Sequence, residues 1–268
     1  MNSAAWAALC VAGVLAAGCG SNNPSSATSA PTSVTGPSAT PAPSTSSAVT
    51  WGFDTSWQPS AAPPACPSPL VLGTPVDLSL VTSILYPGQV RGEYKPHGGF
   101  RLDGANQANE VTITAPLDGV LDSGVRYLEQ GEVQYLFTII HPCGIMYRFD
   151  HLLTLAPRFQ AIAETLPAPR PDDTRGTRIP GEQAVVQGEV MATAVGHRSP
   201  RNIGFDWGVY DLRSRNAAAA DPAWLAAHGG DQAPYAICWL DFLGADSARV
   251  RSLPAGDQAM GSTSDYCR

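Results

Sequence analysis

Between Gly20 and about Pro64 the chain has almost nothing with which to build a core. The segment is Ser, Thr, Pro, Ala and Gly with scarcely any charge, so it cannot bury enough apolar surface to offset chain entropy and stays extended. A folded domain must therefore come from the residues downstream, roughly 200 of them, enough for one sizeable core. The organisation expected is a tether over residues 19–62 and a domain over residues 63–268. Trp51, Phe53 and Trp57 interrupt the tether and are read as docked on the domain or exposed.

Residues 1–18 read as an export signal. The apolar run from Ala4 to Ala17 falls short of the about 20 residues a membrane span needs, and it ends in Leu15-Ala16-Ala17-Gly18-Cys19. That ending fits a lipobox, with Cys19 the acylated first residue of the mature chain, although no Lys or Arg precedes the apolar run. The expectation is a lipoprotein attached to the outer face of a bacterial membrane through its lipid; a plainly secreted protein is the alternative. The net charge of −7 and pI near 5.1 exclude nucleic acid as a partner, since that requires a basic footprint.

Once Cys10 leaves with the signal and Cys19 carries lipid, Cys66, Cys143, Cys238 and Cys267 remain. An even number in an exported domain reads as disulfides, with the pairing open. A cysteine zinc site is disfavoured by the wide spacings and the lack of any Cys-x-x-Cys pair.

Strand patterns dominate the domain. Glu110 to Thr114 alternates, Ala115 to Gly119 turns into Val120-Leu121, and Glu132 to Ile140 forms a hairpin with Ile145 to Phe149. Glu189 to Val195, Ile203 to Leu212 and Ile237 to Leu243 supply further strands. Phe159 to Leu166 reads as a short helix. Asp221-Pro222 opens another, which Gly229 ends, while Ala168 to Gly181 reads as a loop. The fold class expected is mainly β, an antiparallel sandwich or flattened barrel with a few short helices.

Several motifs then fall in order. His97-Gly98-Gly99-Phe100-Arg101 resembles the His-x-Gly-x-Asp motif that opens the zinc site of lysostaphin-type peptidoglycan endopeptidases, with Arg101 where that family has its ligand Asp. Ala115-Pro116-Leu117-Asp118-Gly119-Val120 is similar to the family's Ala-Pro-x-x-Gly-x-Val turn. Tyr147-x-x-x-His151-Leu152 resembles its Tyr-x-His-Leu hairpin with a longer interval. Val186 through Gly196 resembles the segment before its last metal motif. That last motif, His-x-His followed by Phe-Glu, has no counterpart: aligning Tyr210-Asp211 with Phe-Glu puts Trp207 and Val209 at the histidine positions, and a shifted register brings in Asp206. The resemblance implies a duplicated-hybrid-motif fold and a groove containing His97, Arg101, Asp103, His151 and Asp206.

It implies degenerate chemistry as well. A hydrolytic zinc needs three protein ligands, one open position and a base, whereas a guanidinium is permanently charged and only donates. The expectation is therefore no cofactor and a vestigial His151, with Arg101 replacing the metal's charge and pairing with Asp103 or Asp206. A remodelled zinc site using His97, Asp103, His151 and Asp206 is the alternative. His141 is read as structural, and His197 and His228 as solvated. Carboxylate pairs drawn from Asp150, Asp206 and Asp211 carry no signal of their own, and no nucleophile elbow or phosphate loop is present. The function implied is binding of cell-wall peptide or glycan, or of an envelope partner, with zinc endopeptidase activity as the alternative.

Overall fold

The computed structural model describes residues 49–104, 107–199 and 201–267. The segments expected to be an export signal, a lipidated Cys19 and a tether, up to residue 48, lie outside the described residues. Among the described residues no helix is long and apolar enough to cross a membrane.

The strands begin with two hairpin-like pairs. One is β1 (Trp51–Phe53) with β2 (Trp57–Pro59). After β3 (Ser83–Leu85) comes the second, β4 (Gln89–Arg91) with β5 (Glu93–Lys95). β6 (Gly98–Arg101) and β7 (Ile113–Thr114) precede three long strands: β8 (Gly119–Glu129), β9 (Glu132–Ile140) and β10 (Ile145–Leu155). Helix α1 (Pro157–Glu164) leads to the short β11 (Arg170–Pro171), β12 (Thr177–Arg178) and β13 (Ala184–Val185). β14 (Val190–Val195) and β15 (Gly204–Asp211) complete the strands, and α2 (Pro222–His228) and α3 (Ser247–Arg251) follow.

The main sheet runs β11-β8-β9-β10-β15-β6-β3, with β12 and β13 also on β8 and β14 joining β10 to β7. It is antiparallel except where β11 meets β8. It ends in edges at β11 and β3, so of the two β architectures expected it is the sandwich-like one and not a closed barrel.

One local irregularity makes the sandwich. β10 pairs with β15 as far as Asp150 and with β14 from Leu152 onward. Its register against β9 slips by one residue between Phe149 and Leu152, which makes a bulge. His151 sits at that slip with φ of 60°, a conformation uncommon for a residue with a Cβ and of the kind that stores strain. The strand therefore changes partners at His151. One apolar cluster joins Ile113, Met191 and Val195 of the β7–β14 layer to Phe100, Phe205 and Trp207 of the β6–β15 layer. Trp207 lies 4.7 Å from Trp239, ring to ring, and stacks on Phe100 and Phe149.

A second cluster forms on the opposite face from Trp51, Ile140, Met146, Tyr210 and Leu212. Trp51 is 3% exposed and its indole N–H donates to the Pro142 carbonyl. The folded domain thus begins before residue 63, because the aromatic residues within the Ser/Thr/Pro-rich stretch supply the area that anchors β1 and β2.

Two further expectations need correction. Ile237 to Leu243 is no strand; after Cys238 the backbone winds into a 3-10 turn over Trp239–Phe242 that inserts Trp239 into the core, and a short apolar run does not distinguish the two outcomes. Residues 168–181 contain β11 and β12, both paired to β8. The cysteines form Cys66–Cys143 and Cys238–Cys267.

Candidate functional site

β15 alternates. Phe205, Trp207 and Val209 are buried in the core, so Asp206, Gly208 and Tyr210 share the other face. This settles the register. Trp207 and Val209 do not take the groove-facing positions of the strand; Asp206 and Gly208 do, because a shift of one residue sends every side chain to the opposite face. Gly99 of β6 lies directly across from Asp206, and a Cβ there would meet the Phe205 carbonyl at 2.5 Å. Only glycine permits that approach.

Asp206 opens into a groove of about 440 Å³ whose walls include His97, Glu129, Arg148, Asp150 and His151. His97 Nε2 stands 2.9 Å from Asp206 Oδ2, a close but poorly aligned contact that leaves both ring nitrogens without a proper hydrogen bond. His151 Nε2 lies 3.9 Å from the same oxygen. Burial alone would raise the Asp206 carboxyl, but His97, His151 and Arg91 outweigh it and hold it well below the usual carboxylate range.

A second layer surrounds His151. Its Nδ1 is 3.3 Å from Glu129 Oε2 and 3.3 Å from the Tyr127 hydroxyl. Tyr127 donates to Asp150 Oδ1 at 2.6 Å, as does the His151 amide at 2.8 Å. Burial opposes charge on His151, yet Glu129, Asp150 and Asp206 raise its pKa to about 9. Arg148 donates to Gln232 at 2.8 Å and approaches Asp150 at 3.4 Å.

Of the expected groove residues, the structure assembles His97, His151 and Asp206 but leaves Arg101 and Asp103 out of the main groove. Arg101 donates twice to Asp103 Oδ2, at 2.9 and 2.6 Å, and lines a separate cleft of about 60 Å³ that shares His151 and Asp206. Asp103 Oδ1 also accepts from the Ile203 amide at 2.9 Å. Neither side chain is buried, so the guanidinium does not fill a buried metal position. At the place where the resemblance implies zinc, the donors do not fit one: Arg101 cannot coordinate a cation, β15 offers a carboxylate and a glycine where two histidines are needed, and His97 Nε2 lies only 2.9 Å from Asp206 Oδ2.

His197 corrects the sequence reading. It is not solvated but 2% exposed, because the loop after β14 closes on itself through paired Asn202 backbone bonds and through Asn109, which donates to the Val195 and His197 carbonyls. His228 is half-buried and stacks on Tyr94 at 3.9 Å. His141 Nδ1 accepts from the Cys143 amide within its turn. Sequence reasoning missed Glu129, Arg148 and His197. Only Gln130-Gly131, a two-residue turn with positive φ at both positions, could have fixed Glu129 at the end of β8.

No family model matches the sequence, and no curated protein matches it. Among solved structures the chain is similar to one of Helicobacter pylori Csd3, at 16% identity and a TM-score of 0.32, over 53% of this chain and 32% of that one. The chain thus spans about a third of the length of that protein. So loose a likeness assigns no activity.

Proposed function

We propose that this is an envelope lipoprotein, attached through Cys19 to the outer face of a bacterial membrane, whose peptidase-like domain binds cell-wall peptide or glycan, or an envelope partner, without cleaving it. The observation that carries the reading is Asp206, which faces the groove from β15 and meets His97 where a metal ligand would be needed. The remaining groove charges, Arg148 and His151 beside Asp150, suit the charged termini and side chains of short peptides. The ordered motifs from His97 to Arg213 support a cell-wall role.

The test is co-sedimentation with purified peptidoglycan, together with mass spectrometry of the supernatant for released fragments after zinc is added. Binding that weakens in Arg148→Gln, with no fragments released, is the expected result. Zinc-dependent release that His151→Ala abolishes would establish the alternative, a zinc endopeptidase. A remodelled site for that enzyme built on Asp103 has little support, since Asp103 is committed to Arg101 and the Ile203 amide. For the tether, Cys19→Ala should free the protein from membranes, because stable anchoring needs more than one acyl chain; unchanged retention contradicts it.

A further inference from the structure

We propose that Glu129, His151 and His197 form a site for one divalent transition-metal ion of the zinc type, distinct from the position that the peptidase-like motifs would use. The inference stands whether or not the groove binds wall material. The three residues come from separate elements: the end of β8, the bulge in β10 and the loop after β14. One ligand atom from each falls within 4.8 Å of the others.

The separations suit coordination. With metal–ligand bonds of about 2.0–2.2 Å, neighbouring ligand atoms of a tetrahedral site lie about 3.3 Å apart. Glu129 Oε2 is 3.3 Å from His151 Nδ1, and Glu129 Oε1 is 3.7 Å from His197 Nε2. The carboxylate therefore spans the two imidazoles, at a spacing an ion between them would need to tighten only slightly.

His197 is the independent sign. Its side chain is 3% exposed, its Nδ1 has no hydrogen-bond partner, and its Nε2 is beyond hydrogen-bonding range of Glu129. Buried polar groups are nearly always satisfied, so an imidazole held this way is missing a partner. Ligation would use Nε2, the nitrogen that faces Glu129 without reaching hydrogen-bonding distance.

Each ligand is also fixed in advance. The Gln130-Gly131 turn sets Glu129, and the positive-φ bulge aims His151. The His197 loop is held by Asn109 and by Gln134, which donates to the Gly196 carbonyl at 2.9 Å. Such support is what a metal site requires of its surroundings. Two imidazoles and one carboxylate favour zinc, cobalt or nickel over calcium and magnesium, which prefer all-oxygen shells. Glu129 and His151 line the large groove, so the free coordination position would face it.

The purified full-length chain, stripped with a chelator, would be titrated with Zn²⁺ by calorimetry and with Co²⁺ by visible absorption. One equivalent should bind, with the intense cobalt bands of a four-coordinate site. Glu129→Gln and His197→Gln should each weaken binding beyond the roughly 10–100-fold that loss of an outer-shell partner costs. His97→Gln should retain the full equivalent. If His197→Gln fails to fold, as circular dichroism would reveal, the half-buried Glu129 position still decides. Absence of a bound equivalent in the wild type overturns the site, as does binding lost in His97→Gln but kept in Glu129→Gln. Cleavage of peptidoglycan by the zinc-loaded protein would sink the non-cleaving reading above yet leave this site standing.

Discussion

The two ends of the groove use similar residues in opposite ways. At the β6–β15 end, imidazole and carboxylate meet directly: His97 contacts Asp206, and nearby Arg101 closes on Asp103. At the end where β8, β10 and the loop after β14 converge, Glu129 lies 3.3 Å from His151 and 3.7 Å from His197. The first arrangement holds imidazole and carboxylate 2.9 Å apart, closer than the about 3.3 Å expected of neighbouring ligands on one tetrahedral ion. The second holds a carboxylate and two imidazoles with one ligand atom of each within 4.8 Å of the others, at spacings of 3.3 and 3.7 Å from the carboxylate. Counting histidines and acids would rank the two ends equally; only the distances separate them.

The largest expected effect removes what both ends share. Trp207 fills the core beneath β15 and is fully buried against Phe100, Phe149 and Trp239. Trp207→Ala should cost about 3–5 kcal/mol through lost transfer energy and a cavity, measured by urea unfolding. A loss under about 1 kcal/mol would mean that the β15 register is wrong and the two ends are not built on one strand.

Asp206→Asn is expected next, at about 1.5–3 kcal/mol, because a partly buried charged partner of His97 is lost. The same contact sets a pH limb. The folded Asp206 carboxyl lies below its unfolded value, so its contribution is complete above about pH 4 and fades as pH falls further. In metal-free protein, wild type should therefore lose more stability than Asp206→Asn between pH 5 and pH 3. Parallel curves would contradict the pair.

Gln134→Ala probes the other end. Its amide, buried within the domain, donates to the Gly196 carbonyl, so removing it should cost about 1–1.5 kcal/mol and raise amide exchange in residues 196–202 while leaving β6 unchanged. Equal exchange at both ends would erase the distinction between them. Arg101→Ala should have the smallest effect, about 0–1 kcal/mol, since its pair with Asp103 is partly open to solvent and screened. A loss of 3 kcal/mol or more would restore the idea of a buried guanidinium in the metal's place.

Much of the fold was legible because its signals are local. Glu132 to Ile140 reads as a strand and is β9, and Asp221 caps α2 by accepting from the Ala223 amide, with Gly229 after the last turn. Cys66, Cys143, Cys238 and Cys267 pair as two disulfides. Ile237 to Leu243 misled because an apolar run says that a segment is buried without saying in what conformation. Trp51 takes the docked of its two expected places, although the composition around it is that of a tether, because one buried indole outweighs several small polar neighbours.

Sequence alone determined the β-rich class, the coil-forming composition ahead of the domain, the four domain cysteines and the inability of Arg101 to coordinate a metal, since each follows from residue chemistry or short-range pattern. The disulfide pairing, the face of β15 that meets the groove, the burial of His197 and the approach of Glu129 to two histidines were decided by tertiary structure. Those depend on a strand changing partners at one bulge and on a loop closing over residues distant in the chain. A period of two specifies alternation but not which face turns inward, and no local pattern records which distant atoms will lie within a few ångströms of each other.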